Sequence, residues 1–280
     1  MSTGTIILLG AFAGLTIFLG LPIAFLKQTP QSLKVFLNML ATGILIFLLY
    51  DVVSKASEPI TAALVQVRTK QTGMDIFLLN LFLLIFGLGL GSVGLVYFNR
   101  SVFGRRRINS ARPIVASTDA SVGLRIEKEE VSASTLALLI ATGIGLHNFA
   151  EGLAIGQSAA EGALQLALVL IIGFGLHNMT EGFGIAGPLT GQSVSWIFVV
   201  LLGLIGGGPT FLGTVVGIAF HSPQVFILFL GLAAGAIIYV VAELLGGAKR
   251  FKAPELVMWG LIVGFLLGYA TDLIVTFGGA

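Results

Sequence analysis

Cysteine is absent from the 280 residues of this chain, and charged residues are scarce. Without cysteine the protein has no disulfide and no thiolate ligand for a metal, and its redox compartment is left open. Asp, Glu, Lys and Arg make up only 10% of the residues, whereas a water-soluble globular domain carries about 25%. Low charge together with 56% hydrophobic residues excludes an ordinary soluble domain and indicates a protein of the lipid bilayer.

Long apolar runs fill most of the chain. A run of ~20 apolar residues crosses the hydrocarbon core of a bilayer as a helix. Eight such spans are predicted, at about 5–26, 33–53, 75–98, 134–157, 162–186, 194–220, 224–246 and 255–278. The sequence therefore predicts an all-α membrane protein in which residues 1–280 form a single polytopic transmembrane domain, with one polar loop at about 99–132.

Glycine is unusually frequent, with 38 residues in the chain. Within lipid, small residues allow the backbones of two helices to approach closely. Glycines four residues apart occur at Gly87 and Gly91 in the third span and at Gly213 and Gly217 in the sixth. These two pairs predict helix-packing faces.

Basic residues are distributed unevenly between the predicted loops. If the N-terminus is outside, the cytoplasmic loops hold twelve Lys and Arg residues, and the outer loops hold only Lys55, Arg68 and Lys70. Lys and Arg favour the cytoplasmic side of a membrane. We therefore expect a multi-pass protein of the cell membrane with both termini outside and the loop at about 99–132 in the cytoplasm.

One motif occurs twice, 30 residues apart. The segments 141–156 and 171–186 agree at eight of sixteen positions, and both contain the pattern H-N-x-x-E-G. The polar members, called the six motif residues below, are His147, Asn148, Glu151, His177, Asn178 and Glu181. Two of the three histidines of the protein are among them.

Helical geometry groups the polar side chains of each motif. Residues four apart lie on one face of a helix, so His147 faces the same way as Glu151, and His177 the same way as Glu181. Both motifs fall near the centre of their predicted spans. If the two helices face each other, an imidazole, a carboxylate and an amide oxygen from each can converge near the bilayer midplane.

These residue types suit a divalent metal ion. A carboxylate at the bilayer centre costs ~3 kcal/mol unless it is paired or hydrated, and the predicted spans place no Lys or Arg nearby. Two glutamates and two neutral histidines match the charge of a dication. Mixed nitrogen and oxygen ligands without sulfur suit Zn²⁺, Fe²⁺, Mn²⁺ or Co²⁺ rather than Cu⁺. A packed polar residue or a proton site explains a single His or Glu better than it explains this duplicated set.

The motif pair on adjacent central helices resembles the ZIP family of divalent-metal transporters. The likeness extends to eight spans, external termini and a longest loop between the third and fourth spans. The segment 234–245, which contains Glu243, is similar to the seventh helix of that family. The resemblance implies an eight-helix bundle with inverted repeats of spans 1–3 and 6–8 around spans 4 and 5, and assembly as a homodimer. It also implies that the six motif residues line the transport site.

The chain departs from the family pattern at two positions near the motifs. Thr180 replaces a proline that is common in the second motif, and Gly208-Pro209 stands where many relatives carry a Glu-Pro pair in the sixth helix. Because Gly208 offers no third carboxylate, we expect one bound ion rather than two.

Two carboxylates outside the motifs are further candidates. Asp51, predicted at the outer end of the second span, either gathers cations at the entrance or is a solvated helix end. Glu243, at the cytoplasmic end of the seventh span, is either an exit-path ligand or a carboxylate that reaches the membrane interface.

The predicted function is transport of a divalent transition metal, Zn²⁺ first, into the cytoplasm. The metal ion is then a substrate and not a catalytic cofactor, and the partners are metal ions and the lipid bilayer, with no nucleic acid. A passive divalent cation channel is an open alternative. An intramembrane metal-dependent hydrolase is disfavoured, because zinc proteases use H-E-x-x-H and here Asn follows each motif histidine, so we expect no enzymatic activity.

Overall fold

The computed structural model describes residues 2–28, 30–102, 132–160, 162–220, 222–248 and 253–277. Nearly all of the predicted polar loop at about 99–132 lies outside the described residues. So do nine of the twelve basic residues assigned to the cytoplasmic loops.

Helices account for nearly all of the described residues. A helix satisfies its backbone hydrogen bonds internally, which lipid cannot do for it. In the described part of the chain, eight helices are long and apolar enough to cross a membrane, and no strand occurs. They are α1 (Thr3–Phe25), α2 (Gln31–Lys70), α3 (Met74–Val102), α4 (Ala133–Ala160), α5 (Leu164–Ala186), α6 (Trp196–Ala219), α7 (Pro223–Ala248) and α8 (Pro254–Phe277). The predicted all-α class with eight spans is confirmed.

The first span, α1, is not one regular helix. It comprises a helix over Thr3–Leu15, a short helix over Ile17–Gly20 and a 3₁₀ turn over Leu21–Phe25. At the break, the hydroxyl of Thr16 lies 2.7 Å from the carbonyl oxygen of Ala13 and 2.5 Å from that of Gly175 on α5. The break in α1 is therefore held directly against α5.

The second span departs most from the prediction. Its apolar run ends near residue 53, but α2 continues to Lys70 and contains 40 residues. The segment after residue 53 is polar but contains several good helix formers, including alanine, glutamate and lysine, so the helix does not end with the apolar run. At 1.5 Å per residue α2 is about 60 Å long, roughly twice the thickness of the hydrocarbon core. Lys55, which the sequence analysis placed in an outer loop, therefore lies within the helix.

The packing of the helices follows the inverted repeat. The strongest helix pairs are α4 with α6, α3 with α7, and α2 with α8, and α1 packs on α5 and α6. In such a repeat α1 corresponds to α6, α2 to α7, α3 to α8 and α4 to α5. The α3–α7 pair then corresponds to the α8–α2 pair, and the α4–α6 pair to the α5–α1 pair. This agrees with the predicted repeats of spans 1–3 and 6–8 around two central helices.

Close approach of the helices depends on glycine. A Cβ atom on Gly87 or Gly91 would meet carbonyl oxygens of α7, and one on Gly213 or Gly217 would meet carbonyl oxygens of α4. Both predicted helix-packing faces are confirmed. Such contacts bring α4 against α6 and leave α4 as the span with the largest buried share.

Candidate metal site

The six motif residues lie together in the interior of the bundle. His147, Asn148, Asn178 and Glu181 are fully buried, and Glu151 and His177 are 4% exposed. The ring centroids of His147 and His177 are 6.0 Å apart. The structure thus brings α4 and α5 together with their polar faces towards each other.

Three of these side chains form a group with the spacing of metal ligands. One donor atom from each of His147, Glu151 and His177 lies within 4.8 Å of the other two, and all three residues are buried. We call these three residues the ligand cluster. Nε2 of His147 is 3.2 Å from Oε1 of Glu151. Glu151 therefore lies within reach of histidines from both helices, and nitrogen and oxygen donors of this kind suit Zn²⁺.

Glu181 has a different environment from Glu151. Its Oε1 is 3.8 Å from Nε2 of His177, and its Oε2 accepts a hydrogen bond of 2.9 Å from Nδ2 of Asn148. Glu181 thus lies beside the ligand cluster and is held there by the opposite motif.

Each motif asparagine is anchored to a neighbouring helix. Nδ2 of Asn148 donates to the carbonyl oxygen of Gly206 on α6, and Nδ2 of Asn178 donates to that of Ala13 on α1, both at 3.0 Å. Ala13 lies three residues before the break in α1 at Thr16, and Gly206 lies three residues before Pro209 inside α6. Because α1 and α6 are equivalent spans of the inverted repeat, the two asparagines are anchored in equivalent ways.

Buried polar atoms without a hydrogen-bond partner concentrate at this site. Among the described residues there are eight such side-chain atoms, and seven belong to the six motif residues. They are Nδ1 and Nε2 of His147, Nε2 of His177, Oδ1 of Asn148 and of Asn178, Oε2 of Glu151, and Oε1 of Glu181. A buried polar group left unpaired costs about 1–3 kcal/mol, so such atoms are normally paired. A cation held among them would be contacted by these free lone pairs.

His177 is supported by α8 and α2. Oγ1 of Thr271 is 3.4 Å from Nδ1 of His177 and donates to the carbonyl oxygen of Gly268. The ring of Phe47 lies 6.4 Å from the imidazole, centroid to centroid. Thr271 was not predicted from the sequence, although a polar residue within an apolar span was an available signal.

A lysine lies near the ligand cluster, contrary to the expectation that the spans place no Lys or Arg nearby. Nζ of Lys55 is 2.7 Å from Oδ2 of Asp51 and 5.3 Å from the ring centroid of Phe174. Lys55 also interacts electrostatically with Glu151 and Asp272. The prediction failed because it ended the second span at residue 53.

The sequence predicted Asp51 at the outer end of the second span, but the structure does not place it at a helix end. It lies within α2, is 7% exposed, and forms an ion pair with Lys55 one helical turn further on. Oppositely charged residues four apart are neighbours on one helix face, and this spacing was the signal that the helix continues.

Gly208 stands where many relatives carry the glutamate of a Glu-Pro pair, but its position in the structure does not face the site. A Cβ atom on Gly208 would have no heavy atom within 4 Å, whereas one on Gly206 or Gly207 would meet side chains or backbone of the bundle interior. At 100° per residue, Gly208 lies on the same face of α6 as the exposed residues Leu204 and Val215. A carboxylate at position 208 would therefore point away from the site.

One of the two fully buried threonines of α6 is Thr210, the other being Thr214. The hydroxyl of Thr210 is the one unpartnered buried atom outside the motifs in the described part of the chain. A Cβ atom on Gly14 of α1 would meet the side chain of Thr210, and one on Gly152 of α4 would meet its carbonyl oxygen. Thr210 was not identified from the sequence.

Glu243 is outside the ligand cluster. It lies near the end of α7, half-buried, and interacts electrostatically with Tyr239. The hydroxyl of Tyr239 accepts a hydrogen bond from Nδ2 of Asn99 near the end of α3. A role for Glu243 on an exit path stays a prediction.

Comparison with known families agrees with this arrangement. A family model described as ZIP Zinc transporter matches residues 116–271, a segment that contains both motifs. No curated protein sequence matches the chain. The family match covers 156 of the 280 residues, which is more than half of the chain. Together with the eight membrane-spanning helices and the buried His/Glu cluster, this shows that the chain belongs to the ZIP zinc transporter family, whose members are multi-pass membrane proteins that transport divalent metal ions.

Proposed function

We propose that this protein carries Zn²⁺ across the membrane through the six motif residues, with Fe²⁺, Mn²⁺, Co²⁺ and Cd²⁺ as alternative substrates. The observation that carries this proposal is the set of seven unpartnered buried polar atoms on those residues. Nitrogen and oxygen lone pairs left unpaired in a buried site are costly without a ligand. A divalent cation can accept one lone pair from each of these side chains, while the other ring nitrogen of His147 carries the N–H of the neutral imidazole.

In this proposal the ligand cluster supplies the first contacts. Zn²⁺ binds histidine nitrogen at about 2.0–2.1 Å and carboxylate oxygen at about 2.0–2.2 Å. Donor atoms within 4.8 Å of one another need only small side-chain rotations to reach such distances. Glu181 and the free amide oxygens of Asn148 and Asn178 are the additional ligands.

Charge supports one ion rather than two. Glu151 and Glu181 balance one dication, while Asp51 and Lys55 form an ion pair and cancel. A second dication nearby would repel the first by several kcal/mol even at an effective dielectric of ~20. In the described part of α6, no acidic residue offsets this repulsion.

We also propose transport into the cytoplasm, with Asp51 at the entrance and Glu243 on the exit path. The uneven distribution of Lys and Arg supports an orientation with both termini outside, and we place the protein in the plasma membrane. The whole chain is then a single transmembrane domain with a cytoplasmic loop at about 99–132, and we propose that it functions as a homodimer. Metal ions and lipid are its partners, and it has no enzymatic activity.

Uptake of Zn²⁺ into proteoliposomes tests the proposal. His177→Ala should reduce uptake by more than about 100-fold, because even residues that only support metal ligands cost 10–100-fold when removed. Gln192→Ala, on the exposed turn after α5, is the matched control and should transport as the unmodified protein does.

Competition by the other metals and saturation of the rate complete the experiment. A carrier saturates at low metal concentration, whereas a channel gives a current that rises with the driving force. Equal uptake by His177→Ala and the unmodified protein, at matched reconstitution, would contradict the assignment of the motif residues.

A further inference from the structure

The ammonium group of Lys55 lies on one side of the ligand cluster. It contacts the ring of Phe174, which precedes His177 by one turn of α5, and it interacts with Glu151, which follows His147 by one turn of α4. The end of α4 and the start of α5 are joined by a short connection and so lie on the same side of the membrane. Lys55 therefore lies between the histidines and that side, which is the outer side in the proposed orientation.

Asp51 holds Lys55 in this position. The 2.7 Å ion pair joins side chains one turn apart on the bundle-facing side of α2, and Asp51 is largely shielded from solvent. The ammonium is a compact charge on a flexible four-carbon stem, so it can move without movement of the helix. The aromatic face of Phe174 offers a second favourable position for the cation.

Resting on the function proposed above, we propose that Lys55 is a tethered cation that occupies the acidic approach to the metal site and must be displaced by the incoming metal ion. In the metal-free protein its charge partly balances Glu151. A dication that reaches the ligand cluster replaces that charge, and Lys55 is then held by Asp51 alone. Lys55 thus sets how readily metal reaches the site.

The proposal makes two single variants act in opposite directions. Lys55→Met removes the repelling charge and leaves Asp51 free to attract metal, so KM should fall by about tenfold. At an effective dielectric of ~20, a unit charge within several ångströms of a dication changes its affinity by more than a factor of ten. Asp51→Asn releases the ammonium towards Glu151, so KM should rise by about tenfold. The double variant restores neutrality and should lie near the unmodified protein.

The experiment measures KM and maximal rate for Zn²⁺ uptake in proteoliposomes, together with equilibrium Zn²⁺ affinity in detergent by calorimetry. Lys55→Arg keeps the charge and should keep the unmodified KM. Lys70→Met removes a lysine from the exposed end of the same helix and is the matched control. Lys55→Gln, assayed in parallel, retains a polar side chain and provides a second charge-free variant if Lys55→Met does not fold.

An ion pair with only a structural role gives a different pattern. Lys55→Met and Asp51→Asn would then both weaken transport and lower the unfolding temperature, which would overturn the proposal. An unchanged KM in the folded charge-free variant would also overturn it. His177→Ala in the same assay separates the two proposals. If His177→Ala loses uptake and Lys55→Met has an unchanged KM, only the role of Lys55 is refuted. If His177→Ala keeps full uptake, the proposed function itself is refuted.

Discussion

The two copies of the H-N-x-x-E-G motif have the same polar residues but different surroundings. Glu151 of the first copy lies with both histidines in the ligand cluster and has one oxygen without a partner. Glu181 of the second copy is hydrogen-bonded to Asn148 and lies outside that cluster. Lys55 interacts electrostatically with Glu151. The same residue at the same motif position therefore has a different environment in each copy.

The two histidines differ in a similar way. Nδ1 of His177 is contacted by Thr271, whereas Nδ1 of His147 has no hydrogen-bond partner. The asparagines, in contrast, are anchored alike, to Gly206 and Ala13 of the repeat-related helices α6 and α1. The inverted repeat thus anchors the two asparagines in the same way, while the surroundings of the histidines and glutamates differ between the two halves.

Neutralising each glutamate tests this inequality with the largest expected effect. Glu151→Gln should lower Zn²⁺ affinity by more than about 100-fold and Glu181→Gln by about tenfold, because loss of a direct ligand exceeds the 10–100-fold typical of a supporting residue. Calorimetric titration of the purified protein measures both values. Glu58→Gln, on the exposed side of α2, is the control and should not change affinity. Equal losses for Glu151→Gln and Glu181→Gln would show that the two carboxylates are equivalent ligands.

Adding a methyl group at matched glycines tests the framework. A Cβ atom on Gly145 would meet the carbonyl oxygen of Ile205, whereas one on Gly175 would make an ordinary 3.6 Å contact with Thr16. Gly145→Ala should therefore lower the free energy of unfolding by about 1–3 kcal/mol, and Gly175→Ala by less than about 0.5 kcal/mol. Denaturant titration in detergent measures the difference. A Gly175→Ala variant as unstable as Gly145→Ala would contradict the packing described for α5 against α1.

The asparagines should give the smallest difference. Asn148→Ala removes bonds to both Glu181 and Gly206, while Asn178→Ala removes the bond to Ala13. Hydrogen bonds between membrane helices contribute about 0.6 kcal/mol on average and up to about 1.7 kcal/mol, so Asn148→Ala should lower the free energy of unfolding by more than Asn178→Ala. The same denaturant titration measures both, and the reverse order would indicate that the anchor on α1 is the stronger one.

Much of the fold could be predicted because its signals are local in sequence. Apolar runs of sufficient length gave the eight spans, and glycines four residues apart gave the packing faces of α3 and α6. The second span was misjudged because its apolar run ends near residue 53, whereas the helix itself continues up to the left-handed residue Gln71. That error hid the positions of Asp51 and Lys55.

The site could be predicted only in part. The six motif residues were identified because they repeat, and the structure brings them together, but Thr271 and Thr210 do not repeat and carried no such signal. The face of α6 that carries Gly208 was misjudged, because a resemblance between short segments fixes the position along a helix but not its rotation. Rotation follows from packing, here the contacts of Gly206 and Gly207 with α1 and α5.

The sequence by itself determined that the chain has eight membrane spans and a duplicated set of His, Asn and Glu residues in the two central ones. Hydropathy, helical periodicity and the repeat are properties of neighbouring residues, so they need no knowledge of the fold. The tertiary structure alone decided that Glu151 lies with both histidines, that Asn148 is hydrogen-bonded to Glu181, and that Lys55 lies over the ring of Phe174, one turn from His177. These contacts join residues on different helices, up to 165 positions apart for Asn178 and Ala13, and depend on the rotation and register that close glycine packing imposes on each helix.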